Sequence, residues 1–212
     1  MIQNIILDVD GTLWDTTEVV AKAWNEAIAD KGTSSVKTTA AKLKNLFGKP
    51  VNIIAKELFT DVDEESMRME LMDLCCLYEH KALEQTTDCL LFDGVASTLQ
   101  ELAGQGIRLF IVSNCQSGYI ELFMQKNQLE SIIQDKECFG DTGLSKGQNI
   151  GLVMRRQQLD PKETIYVGDT LGDAQASAEA GILFAFAEYG FGSVEDPAWR
   201  LSRFCEVKDL VH

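Results

Sequence analysis

The chain has 212 residues, 45% of them hydrophobic and 25% charged, with a formal charge of −14. That size suits one large domain or a core with a small insert, and the composition is that of a folded protein, which excludes disorder. The acidity excludes a nucleic-acid partner, because no basic excess exists to displace phosphate counterions. No apolar run reaches the roughly 20 residues of a membrane-spanning helix, and the first residues, Met1-Ile2-Gln3-Asn4, carry no basic and apolar leader pattern. The six cysteines lack C-x-x-C spacing and there are only two histidines, so zinc is a poor fit and reduced thiols in the cytoplasm are the expectation.

In chain order, residues 4–10 carry the run Ile5-Ile6-Leu7 and end in Asp-Val-Asp-Gly, the pattern of a buried parallel strand opening onto a loop. Apolar residues recur at helical period over 17–31, and Gly32 ends that run. A short helix is expected over 40–47, and another from Pro50 to Phe59. Asp63 is the expected N-cap of a longer helix whose apolar face carries Met67, Leu71, Leu74, Cys75 and Tyr78. The stretch from 17 to 86 therefore reads as four helices without a strand.

After Gly94 the rhythm changes. Helices are expected over 95–103, 119–126, 145–158 and 173–180, and strands over 108–114, 137–139, 164–169 and 183–187. Alternation of this kind gives an α/β fold, a parallel sheet with helices on both faces. Its functional groups belong at the carboxyl ends of the strands. Three predicted strands end in polar residues: Asp8 and Asp10, Ser113 and Asn114, Asp169 and Asp173. On one parallel sheet these ends share an edge.

Asp8 and Asp10 are two apart in an extended segment, so their carboxylates face the same way and must divide a proton or share a cation. D-x-D-G alone fits an Asp-Gly turn equally well. Asp169 and Asp173, in Gly168-Asp-Thr-Leu-Gly-Asp, also fit a turn with Asp173 as helix N-cap. Together, three or four carboxylates without a basic cluster nearby call for a hard, oxygen-ligated dication such as Mg²⁺. Ser113 and Asn114 add a hydroxyl and an amide, besides backbone N–H groups able to hold a phosphate oxygen, though alone they fit ordinary turn polarity better. Lys146 by itself is an ordinary lysine at a helix start.

These four segments resemble, in order, the four motifs of the haloacid dehalogenase superfamily. Asp8-Val-Asp-Gly-Thr-Leu-Trp-Asp resembles the first, Val112-Ser-Asn the second, Lys146 the third and Gly168-Asp-Thr-Leu-Gly-Asp the fourth. The helical segment after the first motif looks like the family's C1 cap, and 115–145 is too short to hold a second cap. Gly48-Lys-Pro and Tyr189-Gly-Phe-Gly resemble the phosphoglycolate-phosphatase-like branch. The resemblance implies a Rossmann-like α/β core, residues 1–15 and 90–212, interrupted by an all-helical cap, residues 16–89. Hinges are expected near 15–17 and 86–93.

It also implies a phosphatase acting on a small phosphorylated metabolite, with Asp8 as nucleophile and Asp10 as acid and base. Mg²⁺ would be held by Asp8, the Asp10 carbonyl, Asp169 and Asp173, directly or through water. Ser113, Asn114 and Lys146 would hold the phosphoryl oxygens. Asp10 separates the chain from haloalkanoate dehalogenases, which lack this second aspartate. Two sequences depart from the branch pattern: Leu91-Phe92-Asp93-Gly94 replaces Pro-x-Pro-Gly, and Asn114-Cys115-Gln116 replaces the Asn-Lys-Pro common in phosphoglycolate phosphatases. Alternatives are a phosphosugar mutase similar to β-phosphoglucomutase and a non-catalytic phosphate-sensing protein, and the chain is expected to act as a monomer or homodimer. Trp14 either lines the mouth of the site or packs in the core; Trp24 is assigned to the core, and His80 to an exposed or edge position.

Overall fold

A computed structural model describes residues 1–211. The first strand, β1 (Asn4–Leu7), is followed by α1 (Thr17–Lys31), α2 (Ala40–Lys44), α3 (Val51–Leu58) and α4 (Glu65–Gln85). Then come α5 (Val95–Gly104), β2 (Arg108–Ser113), α6 (Tyr119–Asn127), β3 (Ile133–Cys138), α7 (Phe139–Thr142) and α8 (Lys146–Gln157). The chain continues through β4 (Thr164–Gly168), α9 (Leu171–Ala180), β5 (Leu183–Ala187) and β6 (Trp199–Leu201), with short 3₁₀ turns at Pro161–Glu163 and Phe204–Leu210.

The six strands form one parallel sheet in the order β3-β2-β1-β4-β5-β6. Strands β1, β2 and β3 run outward in one direction, and the next crossover returns to lay β4 against the other side of β1. The order reverses there, so the carboxyl ends of β1 and β4 open the crevice where such sheets bind ligands. The central strands are buried on both faces. Ile5 and Leu7 pack with Val95, Leu99 and Phe123 on one side, and Ile6 packs with Ile150, Val153 and Tyr166 on the other. The apolar cluster on the first side runs on without a break into α1, α3 and α4.

Three expectations need correction. Glu64, not Asp63, occupies the N-cap of α4, and it makes no side-chain cap bond. The Arg68 guanidinium instead reaches back to the carbonyls of Val62 and Asp63. The buried face of α4 is also rotated from the expected one: it carries Leu71, Met72, Cys75, Glu79 and Leu83, and Met67 is exposed. Strand β3 spans Ile133–Cys138 rather than 137–139, and Phe139 begins α7; Gln134, Asp135, Lys136 and Glu137 carry no apolar alternation to announce the strand. They lie beside α8, where Arg156 pairs with Asp135 and Glu137. The three-residue β6 had no sequence signal. His80 is exposed, as expected. No helix of the described residues is long and apolar enough to cross a membrane.

Candidate active site

Asp8 is the residue directly after β1, and its N–H donates to the Val167 carbonyl at 2.9 Å, which continues the ladder to β4. Asp169 follows β4, and Asp173 lies on the first turn of α9. All three are fully buried, and one carboxylate oxygen from each lies within 4.8 Å of the others. Lys146, the first residue of α8, reaches the same point from the neighbouring crossover. Its Nζ lies 2.9 Å from Asp8 Oδ1 and 2.5 Å from Asp173 Oδ1. A reciprocal capping box between Ser145 and Gln148 fixes the start of α8 and so aims this lysine.

Close packing of backbone makes room for the carboxylates. A Cβ at Gly11 or Gly190 would collide with Asp169, and Gly11 holds a positive φ of 82°. The Phe191 N–H donates to Asp169 Oδ2 at 2.7 Å. Asp173 Oδ2 accepts from Thr170 N–H and Oγ1 at 2.9 and 2.7 Å, so Thr170 caps α9 and Asp173 closes the capping box. Asp173 therefore does not take the N-cap place that a simple turn would give it.

The electrostatics follow from this crowding. Burial pushes Asp8 up to about 6, with Lys146 pulling down and Asp173 pushing up. Burial, then Asp173 and Asp8, pushes Asp169 up to about 8. Burial alone would lower Lys146, but the Asp173 and Asp8 carboxylates outweigh it and raise the ammonium. One cation among three carboxylates leaves a negative excess. Asp8 Oδ2 is buried without a hydrogen-bond partner. An orphaned anionic oxygen in a net negative pocket whose candidate ligand atoms are all carboxylate oxygens fits a hard dication.

Asp10 is brought to the same edge but turned away from the trio. Its Oδ1 accepts from Tyr119 Oη at 2.6 Å and from Thr16 Oγ1 at 3.3 Å. Burial raises its carboxyl well above the ordinary value, the Tyr119 hydroxyl opposing that shift. Ser113, at the end of β2, lines a small cavity together with Asp10 and Asn114. Asn114 donates to the Gly48 carbonyl at 2.8 Å, a bond that ties the core edge to the loop between α2 and α3, and its Oδ1 is buried without a partner. All seven expected residues thus lie around the β1, β2 and β4 ends. The side chains of Asp8, Asp169, Asp173 and Lys146 form one cluster, and Asp10, Ser113 and Asn114 border the adjoining cavity.

The cavity holds about 30 Å³ and is roofed by the inserted helices, through residues that include Trp24, Phe47, Met72 and Glu79. Trp24 is buried as expected, yet its indole N–H donates to Glu79 Oε2 at 2.7 Å, so it also shapes this cavity. Trp14 is fully buried and packs edge-on against Tyr119 and Phe123, away from any opening. Sequence reasoning missed Tyr119, Thr16, Glu79 and Gln116. Glu79 had a signal: it continues the i, i+4 series Leu71, Cys75, Glu79, Leu83 as the one acid on an apolar stripe. Nothing local marks Tyr119 as a partner of a residue 109 positions away.

Comparison with known proteins agrees with this geometry. Residues 5–187 match the model of the haloacid dehalogenase-like hydrolases. A phosphoglycolate phosphatase of Synechococcus elongatus is 26% identical over 209 residues, 94% of this chain and 92% of that protein. An N-acetylmuramic acid 6-phosphate phosphatase of Pseudomonas putida is 24% identical, with 92% of this chain and 86% of that one covered. Among solved structures, CbbY of Rhodobacter sphaeroides, in complex with phosphate, superposes with a TM-score of 0.84 at 19% identity, covering 98% of this chain and 96% of that one. A structure described as a predicted phosphoglycolate phosphatase of Haemophilus somnus gives 0.86 at 18% identity, over 100% and 98%. With a family model matched from the first strand through β5, this chain belongs to the haloacid dehalogenase-like hydrolases.

Proposed function

We propose that the protein is a Mg²⁺-dependent phosphatase that hydrolyses a small phosphorylated metabolite through a phosphorylated Asp8. The observation that carries this reading is the buried cluster of Asp8, Asp169, Asp173 and Lys146, in which Asp8 Oδ2 has no partner. Asp8, Asp169 and Asp173 would hold the cation, with the Asp10 carbonyl alongside, and the cation would offset negative charge on the phosphoryl group. Lys146 adds a fixed positive charge at Asp8, which lets an anionic nucleophile meet an anionic ester.

In the first step an Asp8 carboxylate oxygen attacks phosphorus, and the bond from phosphorus to the ester oxygen breaks. Asp10, whose burial keeps it protonated to higher pH than an ordinary aspartate, delivers its proton to the departing alkoxide. In the second step a water attacks the aspartyl phosphate and gives a proton to the Asp10 carboxylate. Inorganic phosphate leaves and the Asp8 carboxylate returns. Ser113 and Asn114 border the cavity where the phosphoryl oxygens emerge and are their donors in this scheme.

Two units divide the work: residues 1–15 and 90–212 form the catalytic core, and residues 16–89 form a cap. The cavity beside Asp10, about 30 Å³, has room for little more than a water, and on this reading the cap withdraws to admit the substrate. The contacts that would part are Asn114 with the Gly48 carbonyl, Gln116 with Glu79, and Lys44 with Asp15. Six free cysteines fit work in the reducing cytoplasm.

The test is release of inorganic phosphate from p-nitrophenyl phosphate, with and without Mg²⁺, by the wild type and by Asp8→Asn. Turnover that needs Mg²⁺ and vanishes in the variant supports the reading. Equal turnover by Asp8→Asn would end it.

A further inference from the structure

The roof of the cavity carries one buried acid that the reaction above does not use. Glu79 is 3% exposed, sits on α4, and has no salt-bridge partner among the described residues. An acid buried in an apolar setting without a cation costs stability, so its presence needs a cause outside the packing. Its Oε2 accepts from Trp24 Nε1 at 2.7 Å and its Oε1 from Gln116 Nε2 at 2.9 Å. Each oxygen keeps a second acceptor position.

Those two bonds decide what the cavity can offer a ligand. The indole N–H, the donor nearest the acid besides Gln116, is committed to it, and the Gln116 amide gives it one of its two N–H groups. The Asn114 amide gives one N–H to Gly48, and Lys49, also at the wall, pairs with Glu57 at 2.6 Å and is 40% exposed. Most of the remaining roof is apolar, with Phe47, Val51, Ile54 and Met72. Away from Asp10, Ser113 and Asn114, the wall is mostly carbon and thiol, with Gln116 and the ion-paired Lys49 at its margin, and Glu79 is its one carboxylate.

We propose that Glu79 selects the substrate: it accepts a hydrogen bond from a hydroxyl or ammonium group on the organic part of the phosphate ester, and it turns away esters carrying a carboxylate. The inference rests on the phosphatase reading and sets this chain apart from its relatives named for phosphoglycolate. Burial, opposed by the Gln116 and Trp24 bonds, pushes the Glu79 carboxyl up to about 7, so its charge is fully present only in mildly alkaline buffer.

The test is therefore run near pH 8.5 on matched two-carbon esters: phosphoethanolamine, 2-hydroxyethyl phosphate, ethyl phosphate and phosphoglycolate. The three-carbon pair glycerol 3-phosphate and 3-phosphoglycerate extends the reach. A hydrogen bond to a charged group is worth enough that kcat/KM for the amine and hydroxyl esters should exceed that for the carboxylate esters by about tenfold or more. In Glu79→Gln the ratio of phosphoethanolamine to phosphoglycolate should fall by about tenfold. Partial unfolding lowers both esters together and leaves their ratio in place, and the wild-type ranking needs no variant. Carboxylate esters turned over as fast as their amine and hydroxyl counterparts, with p-nitrophenyl phosphate still hydrolysed, would overturn the role of Glu79 alone. A ratio that stays unchanged in Glu79→Gln would overturn that role equally. No phosphate from any ester, p-nitrophenyl phosphate included, would remove the phosphatase reading and this inference with it.

Discussion

Asp8 and Asp10 share a motif yet meet different surroundings. Asp8 lies between a lysine and two further carboxylates, and Asp10 lies under a tyrosine hydroxyl. If Asp8 is the nucleophile, Asp8→Asn should lower kcat by at least about a thousandfold, since the step it serves has no substitute. Tyr119 is a positioning residue for Asp10 on this reading. Its hydroxyl donates to the carboxylate and so holds the Asp10 value down against burial. Tyr119→Phe removes that donor, and kcat should fall by about ten- to a hundredfold. The limb of the pH–rate profile on which Asp10 must lose its proton should move toward higher pH. A profile that keeps its shape and position in Tyr119→Phe would show that the contact is only packing.

At the scale of elements, the loop between α2 and α3 joins the inserted helices closely to the sheet. Gly48 holds φ of 85°, its carbonyl accepts from Asn114, and a Cβ there would come within 3.1 Å of the Thr170 methyl. Beside it, Phe47 packs on Phe191 and Lys44 lies over the same ring. Gly48→Ala should therefore strain the closed arrangement by about 1–2 kcal/mol. We expect kcat/KM to drop and the thermal midpoint of the fold to move little; an unchanged kcat/KM would mean that this loop does not gate the reaction. A phosphate analogue with Mg²⁺ should slow amide hydrogen exchange in α1–α4 and in the segments joining them to the sheet. Exchange that is identical with and without the analogue would argue against cap closure.

The whole molecule couples charge to stability. Asp169, raised to about 8, and Asp8, raised to about 6, bind protons in the folded state that ordinary unfolded carboxylates release near pH 4. A raised carboxyl stabilises the fold at low pH and loses that contribution as pH rises through the folded value. Lys146, also raised, loses its contribution only above the ordinary lysine value, outside this window. Without a dication the protein should therefore grow less stable from about pH 4 to pH 8. Mg²⁺ can take the place of those protons, so the rise in Tm on adding Mg²⁺ over EDTA should be larger near pH 8.5 than near pH 6. An equal rise at both values would mean that the carboxylate trio does not bind the ion.

The class of fold, a parallel sheet with an inserted helical segment, was legible in the sequence, because buried parallel strands read as apolar runs and their polar ends stand out. The sequence marked Asp8, Asp10, Ser113, Asn114, Asp169 and Asp173 as polar strand ends, each beside an ordinary turn reading, and singled out Lys146 only through the family resemblance. It missed most of β3 and all of β6, whose short or polar stretches carry no apolar period. It also misplaced the buried face of α4, where exposed Met67 looked as apolar as buried Met72. Long-range packing sets the turn of Asp10 toward Tyr119, the burial of Trp14, and the meeting of Glu79 and Gln116 over the cavity. Those contacts join residues 37 to 109 positions apart. Distances of that kind are set by how the inserted helices dock on the sheet, which no local pattern of residues encodes.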